Sequence, residues 1–356
     1  MVSEDQTGLT LEDAALPVVD LAGLFTGNSA DRHAVARSLG TAARTSGFFY
    51  ITGHGIPQEQ IDAVLAASKA FHTSPRSFKM RNWAGFTTHH RGYVPFEENG
   101  STFPKSINFN EAWDMSFEAP ATHPDHVAGW RMTGPNVWPD IDGWKDIVQG
   151  YYDAVFALGL NMLDTLALEL EVDPADLRRD ITTPTSQMRL LRYVENDMPA
   201  NKDLVGIGAH SDFECFTILL QGSPGLQVMN ADDVWIEAPP IRGAFVVNIG
   251  DIFETWSGGQ FKSTQHRVAN IGRERYSIPL FFGLDYHAIV EPLEKFRTPE
   301  TLAKYPPMKA GEHLMKMTIP TFRYMADARD KGTFVPDYEI PEESPFKREA
   351  RPPAAE

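Results

Sequence analysis

The chain of 356 residues has one cysteine, Cys215. No internal disulfide can form, which fits a reducing, cytoplasmic setting. No stretch approaches about 18 consecutive apolar residues, and no early apolar segment resembles a signal peptide, so no membrane span or secretory leader is expected. Basic residues are few: 32 Lys and Arg against 48 Asp and Glu give a net charge of −16. Such a surface repels phosphate backbones and anionic membranes, which excludes nucleic acid and membrane as expected partners. Internal repeats and long low-complexity tracts are also missing. The composition that remains, 42% hydrophobic and 22% charged, is ordinary for a globular protein.

Periodicity changes once along the chain. Ala30 to Ser46, Pro57 to Phe71 and Trp144 to Glu171 carry Ala, Val, Leu and Ile at helical spacing. From about Ser186, short apolar runs dominate: Met188–Val194, Phe216–Gln221, Leu226–Met229, Ala244–Ile249 and Ser277–Phe282. Strands of this length, parted by Gly, Pro and Asn, predict a barrel or double-sheet jelly roll with helices on its outside. The expected class is mostly β with flanking α. The expected order is a mobile tail at 1–15, a helical or mixed region at 16–180, a jelly-roll core at 181–325 and an extension with a tail at 326–356, its end (340–356) rich in Pro, Glu and Ala. The first two folded parts are expected to form one compact unit.

His210 and Asp212 open an apolar run, in Gly-Ala-His-Ser-Asp-Phe. Residues two apart on a strand point to one side. His266 follows Asp212 by 54 positions (266 − 212), so it must arrive from another strand. Two imidazoles and a carboxylate on one face leave the other face of an ion open, the arrangement of non-haem iron oxygenases. Zinc accepts the same donors, so a hydrolytic or non-redox metal site is the rival class. His-x-acid alone is weak, with about 1.5 chance matches expected from composition. A second copy, His123-Pro124-Asp125, sits among prolines and reads as solvated loop, although His126 beside it could make a surface metal site. Arg275 and Ser277 alternate onto one face and suit a carboxylate clamp, because a guanidinium fork binds carboxylates with both energy and direction. Asn270-Ile-Gly272 predicts a hairpin turn that would bring Arg275 back beside His266.

These segments resemble the isopenicillin N synthase-like family of Fe(II)/2-oxoglutarate-dependent oxygenases. The likeness runs from about Leu16 to Phe322. Its carriers are Pro17–Leu21, Gly47–Ile56, Arg91–Tyr93, Met188–Tyr193, Gly208–Asp212, Val247–Asp251, Phe261–Val268 and Arg275–Ser277. The resemblance implies a distorted jelly-roll (double-stranded β-helix) core, Fe(II) held by His210, Asp212 and His266, and 2-oxoglutarate held by Arg275, Ser277 and Tyr193, with dioxygen as co-substrate. Leu191 stands where many relatives have Asn. The implied activity is hydroxylation of a small molecule, an amino acid or natural-product intermediate, with release of succinate and CO2. The alternative is an oxidase, cyclase or desaturase that does not use 2-oxoglutarate. Asp212 fills the slot a bound halide would need, so halogenation is not expected.

Nearness to these motifs makes Arg189, Arg192, Tyr93, Phe213, Phe281 and Phe282 candidates for contact with substrate. Arg189 and Arg192, three apart on one strand, should face opposite sides. Asn108 to Asp114 is a further family-like segment at the expected mouth of the site. His54, between two glycines, reads as a turn residue, and Trp256-Ser-Gly-Gly259 as a turn or mobile loop. Asn248 and Asp251 are expected to fix backbone near the metal, and Cys215 to be a core residue.

Overall fold

The computed structural model describes residues 14–98, 110–197, 205–230, 232–341 and 344–346. Most of both expected tails, together with Asn108 and Phe109, lies outside them.

Helices form where the 3.6-residue spacing predicts them. α1 is Ser29–Thr45, capped by Asn28, which accepts the Ala30 N–H at 2.9 Å. α2 is Gln58–His72, entered from Pro57. α3 is Trp144–Leu170 and ends at Glu171 in the left-handed region. Three later helices matter to the site: α4, Asp251–Trp256; α5, Ala310–Thr318; and α6, Arg323–Asp330. α6 runs through the expected boundary at residue 325.

Fourteen strands are described, in three sheets. They are β1 (Val18–Asp20), β2 (Phe48–Thr52), β3 (Gly92–Val94), β4 (Asn110–Ser116), β5 (Gln187–Tyr193), β6 (Val205–His210) and β7 (Phe216–Gln221). Then come β8 (Leu226–Met229), β9 (Trp235–Glu237), β10 (Phe245–Ile249), β11 (His266–Ala269), β12 (Arg275–Phe282), β13 (Ile289–Val290) and β14 (Met308–Lys309). The large sheet runs β1-β2-β10-β7-β12-β5-β4-β3, the small one β6-β11-β8-β9, and β13 pairs with β14. Among the described strand pairs, only β1–β2 is parallel.

The large sheet divides its residues by parity. Phe49, Trp113, Leu190, Ile218, Val247 and Ile278 face α1, α2 and α3 and form the main core with Leu39, Phe71, Tyr152 and Leu166. The alternate residues face the small sheet. Phe48, Tyr50 and Val246 there meet Leu226 and Val228, while Leu191 and Tyr193 meet Val268. The two sheets thus make the distorted jelly roll, with the site between them. β1 to β4 were not anticipated in the helical half, yet they extend the large sheet at both ends. β2 is buried on both faces apart from Thr52, so it carries no alternation to read.

The hairpin expected at Asn270–Gly272 does not form. β11 pairs with β6 and β8, whereas β12 pairs with β5 and β7. The turn carries the chain from one sheet to the other. His54 is buried and stacks on Phe245 at 4.3 Å between centroids, a packing role. Gly258 and Gly259 make a tight turn after α4, both with positive φ. Cys215 is buried in the main core.

Burial holds three imidazoles neutral. His72, His89 and His266 are each pushed down from 6.5 to about 4, in every case chiefly by desolvation. A histidine whose folded pKa lies below its unfolded value binds more protons when unfolded, so stability falls as pH drops through that window. Urea midpoints of the metal-free protein are expected to fall steadily between pH 6.5 and 4. His72→Phe should flatten part of that slope; an unchanged slope would count against neutral burial of His72.

Candidate active site

His210 closes β6 and His266 opens β11, and the two are cross-strand partners. Their ring centroids lie 4.2 Å apart. Asp212 sits just beyond β6, with Oδ1 3.7 Å from His210 Nε2 and 3.5 Å from His266 Nε2. All three donor atoms fall within 4.8 Å of one another, the one such His/Cys/Asp/Glu cluster among the described residues. His123 instead caps the single helical turn Pro124–Val127 by accepting the Asp125 N–H.

The remaining polar atoms of the triad are already used. His210 Nδ1 meets the Gly208 carbonyl at 2.8 Å, and His266 Nδ1 faces the Thr264 carbonyl at 3.4 Å. An Nδ1–H that donates to a carbonyl leaves the Nε2 lone pair for a metal. Asp212 Oδ2 accepts from Asn248 Nδ2 at 2.7 Å and from Thr217 Oγ1. Its Oδ1 is left facing the two imidazoles. Burial acts to raise the Asp212 pKa, but His266, His210 and these two donors hold it below the usual carboxylate range. Two imidazole nitrogens and one carboxylate oxygen fit Fe(II) well.

Asn248 therefore steadies the Asp212 side chain rather than backbone. Thr217 was not anticipated, although Thr217, Leu219 and Gln221 share a face of β7 by parity. Asp251 does fix backbone: its N–H donates to the Asp212 carbonyl at 2.9 Å.

Arg275 opens β12 and is buried to 1% exposure. Its Nη1 donates to Ser277 Oγ at 2.9 Å, its Nη2 to Gln221 Oε1 at 3.3 Å, and its Nε to the Pro224 carbonyl at 3.1 Å. The Tyr193 ring lies 4.7 Å from the guanidinium carbon. Among the described residues no carboxylate pairs with Arg275, and burial lowers its pKa. A dry guanidinium without a counter-ion is costly, so the pocket suits an anionic ligand. Tyr193 stands opposite Arg275 across β5, and Leu191 opposite Ser277. The clamp wall is apolar at Leu191.

Parity sorts the other candidates. Arg189 shares the inner face with Leu191 and Tyr193. Its Nε donates to buried Asp114 at 2.7 Å, its guanidinium carbon lies 5.2 Å from the Phe322 ring, and its Nη2 has no hydrogen-bond partner among the described residues. Arg192 faces the helices, paired with Glu111 and Glu274. Tyr93 is on that side too, donating to Glu111 within the main core. Neither can touch a ligand between the sheets. Phe282 is likewise core, stacked on Phe216 at 4.8 Å. Phe281 shares its face with Arg275 and Ser277 and is half-buried. Phe213 follows Asp212 and packs edge-on to His313. Glu111 to Asp114, the described part of the expected mouth segment with Asn110, lies on β4, where Asp114 holds Arg189 and His90.

Residues 16–141 match the model for the N-terminal region of non-haem dioxygenases in morphine synthesis, and residues 185–284 match the 2OG-Fe(II) oxygenase superfamily. The 2-oxoglutarate-Fe(II) type oxidoreductase hxnY of Emericella nidulans is 33% identical over 302 residues, 83% of this chain and 86% of that one. The chain belongs to the Fe(II)/2-oxoglutarate-dependent dioxygenases. The 2-oxoglutarate-dependent dioxygenase tropC of Talaromyces stipitatus is 32% identical, over 80% of this dioxygenase and 91% of its own length. Among solved structures, a 2OG-Fe(II) oxygenase family protein from Caulobacter crescentus superposes with a TM-score of 0.74 at 28% identity, covering 86% of this chain and 98% of that one. Neurospora crassa T7H, solved with alpha-KG and thymine, shares the fold with a TM-score of 0.72 at 24% identity, covering 87% and 98%. No described helix is long and apolar enough to cross a membrane.

Asn248→Leu removes one of the two donors that aim Asp212. Fe(II) affinity, measured by anaerobic titration, is expected to weaken about 10-fold with the fold intact. Wild-type affinity in a folded variant would show that Thr217 alone suffices.

Proposed function

We propose that this dioxygenase hydroxylates a small neutral or weakly charged organic molecule of natural-product type, with Fe(II) held by His210, Asp212 and His266. The observation that carries the metal assignment is the free edge of the triad: two Nε2 atoms and Asp212 Oδ1 converge while every other polar atom of the three side chains is occupied. Arg275 and Ser277, with Tyr193 beside them, hold the far carboxylate of 2-oxoglutarate. The buried, acid-free guanidinium supports this.

Bound iron supplies the coupling between oxidative decarboxylation of 2-oxoglutarate, to succinate and CO2, and oxidation of the substrate by dioxygen. The chain's own residues position and shield. Asn248 and Thr217 orient Asp212. Arg275 sets the direction of the co-substrate. Tyr193 and Leu191 exclude water along its length. Asp212 occupies the ligand position that a halide would need, which favours hydroxylation. The substrate lies toward β5 and β4, between Arg189, Phe281 and Phe213. Arg189 is already neutralised by Asp114, so its spare N–H suits a neutral acceptor such as a carbonyl better than a second carboxylate. The reading takes residues 16–180 and 181–325 as one unit, because the adjacent walls β4 and β5 come from either side of that boundary. It takes the enzyme as cytoplasmic, in keeping with a single, buried, unpaired cysteine.

The protein with Fe(II), dioxygen and a panel of small carbonyl compounds is expected to form succinate in step with hydroxylated product. Substrate oxidation without succinate would overturn the hydroxylase reading in favour of an oxidase. Arg275→Ala should weaken 2-oxoglutarate binding by about 30-fold or more, the effect of stripping one partner from a buried charge pair, while Fe(II) binding survives. Arg189→Gln should raise the substrate KM and leave 2-oxoglutarate affinity alone. An unchanged KM would remove Arg189 from the substrate site.

A further inference from the structure

Helix α4 joins the two segments that bear the triad. Besides the Asp251 N–H on the Asp212 carbonyl, the Ile252 N–H reaches the Glu214 carbonyl at 3.2 Å. On its other side, the Asp251 carboxylate accepts Ser263 Oγ at 2.7 Å, and Glu254 Oε2 accepts the Ser263 N–H at 2.7 Å. Ser263 lies three residues before His266. One short helix therefore grips both arms of the metal site.

The C-terminal part of the chain reaches this hub from behind. His313, on α5, places Nε2 3.0 Å from Asp251 Oδ2. Tyr305 donates its hydroxyl to Glu254 Oε1 at 2.9 Å. His313 also packs perpendicular to Phe213, with 6.0 Å between centroids. His313, Asp251, Glu254 and Tyr305 are all buried. Neither His313 nor Tyr305 falls within the two family-matched stretches, 16–141 and 185–284.

A buried carboxylate keeps its place only while its donors do. Without the imidazole, Asp251 must find another donor, and its movement carries the Asp212 carbonyl and Ser263 with it. Displaced support around metal ligands lowers metal affinity. We propose that His313, assisted by Tyr305, is a positioning residue for the metal centre, so that helix α5 sets how tightly the triad holds its ion. The inference rests on the assignment of His210, Asp212 and His266 as the metal site.

The test uses the full chain, with Co(II) as the probe, read by titration and by its visible absorption bands. His313→Leu is expected to bind Co(II) about 10-fold more weakly and to shift the bands, while His313→Gln, which keeps a side-chain N–H, returns to within about threefold of wild type. Tyr305→Phe should move affinity the same way by less. A folded His313→Leu with wild-type affinity and spectrum would overturn the proposal, as would a His313→Gln no better than His313→Leu. Should His313→Leu not fold, Tyr305→Phe decides: weaker binding supports the proposal, and unchanged binding and spectrum overturn it. His210→Ala separates the two claims. If wild type binds Co(II) and His210→Ala binds it equally well, the triad assignment itself falls.

Discussion

The two-residue repeat of the large sheet is the constraint on which this molecule depends. Each strand must present one row to a dry helical layer and the next to a cleft that handles charge. Ile218, Val247 and Ile278 serve the first purpose, and Thr217, Asn248 and Ser277 the second. A shift of register by one residue would exchange the two rows. The packing of α1, α2 and α3 against the apolar row is therefore also what aims the polar row at the His210–Asp212–His266 triad.

Much of the charge inside the protein is matched. Lys79 and Arg192 meet Glu111, Arg189 and His90 meet Asp114, and His313 meets Asp251. Such pairs are held by geometry as much as by attraction, since removing either partner strands the other in a low-dielectric place. Arg91 and Glu214, both buried, have no ion-pair partner among the described residues, and two groups between the sheets depart from the pattern as well. Arg275 has no acid beside it among the described residues, and Asp212 has only imidazoles and neutral donors. Both departures lie between the sheets, and both suit ligands of opposite charge.

Much of this was legible in the sequence. The long helices follow from their 3.6-residue spacing, and the pairs His210–Asp212 and Arg275–Ser277 from two-residue spacings, whereas His266 joins the triad only through the pairing of β11 with β6. β2 was not legible, because Phe48 to Ile51 are buried on both sides. The turn at Asn270–Gly272 was recognised, but local residues do not say whether a chain returns to its own sheet or crosses to the facing one. Arg189 and Arg192 were known to diverge. Parity with Tyr193, four positions on, already selects Arg189 as the inward one. Glu111, which draws Arg192 away, lies 81 residues before it on a neighbouring strand and leaves no local mark. His313 was missed for the same reason: its partner, Asp251, is 62 residues away.

As a clamp, Arg275 would grip whatever presents a carboxylate at the right depth. On the reading proposed for it, succinate retains the very group that the guanidinium recognises. That contact cannot tell fresh co-substrate from spent by-product, so discrimination must come from the metal end, where the keto group has become a carboxylate and the neighbouring carboxylate has left as CO2. Turnover would then respond to the ratio of the two acids in the surrounding metabolism and not to the level of either alone.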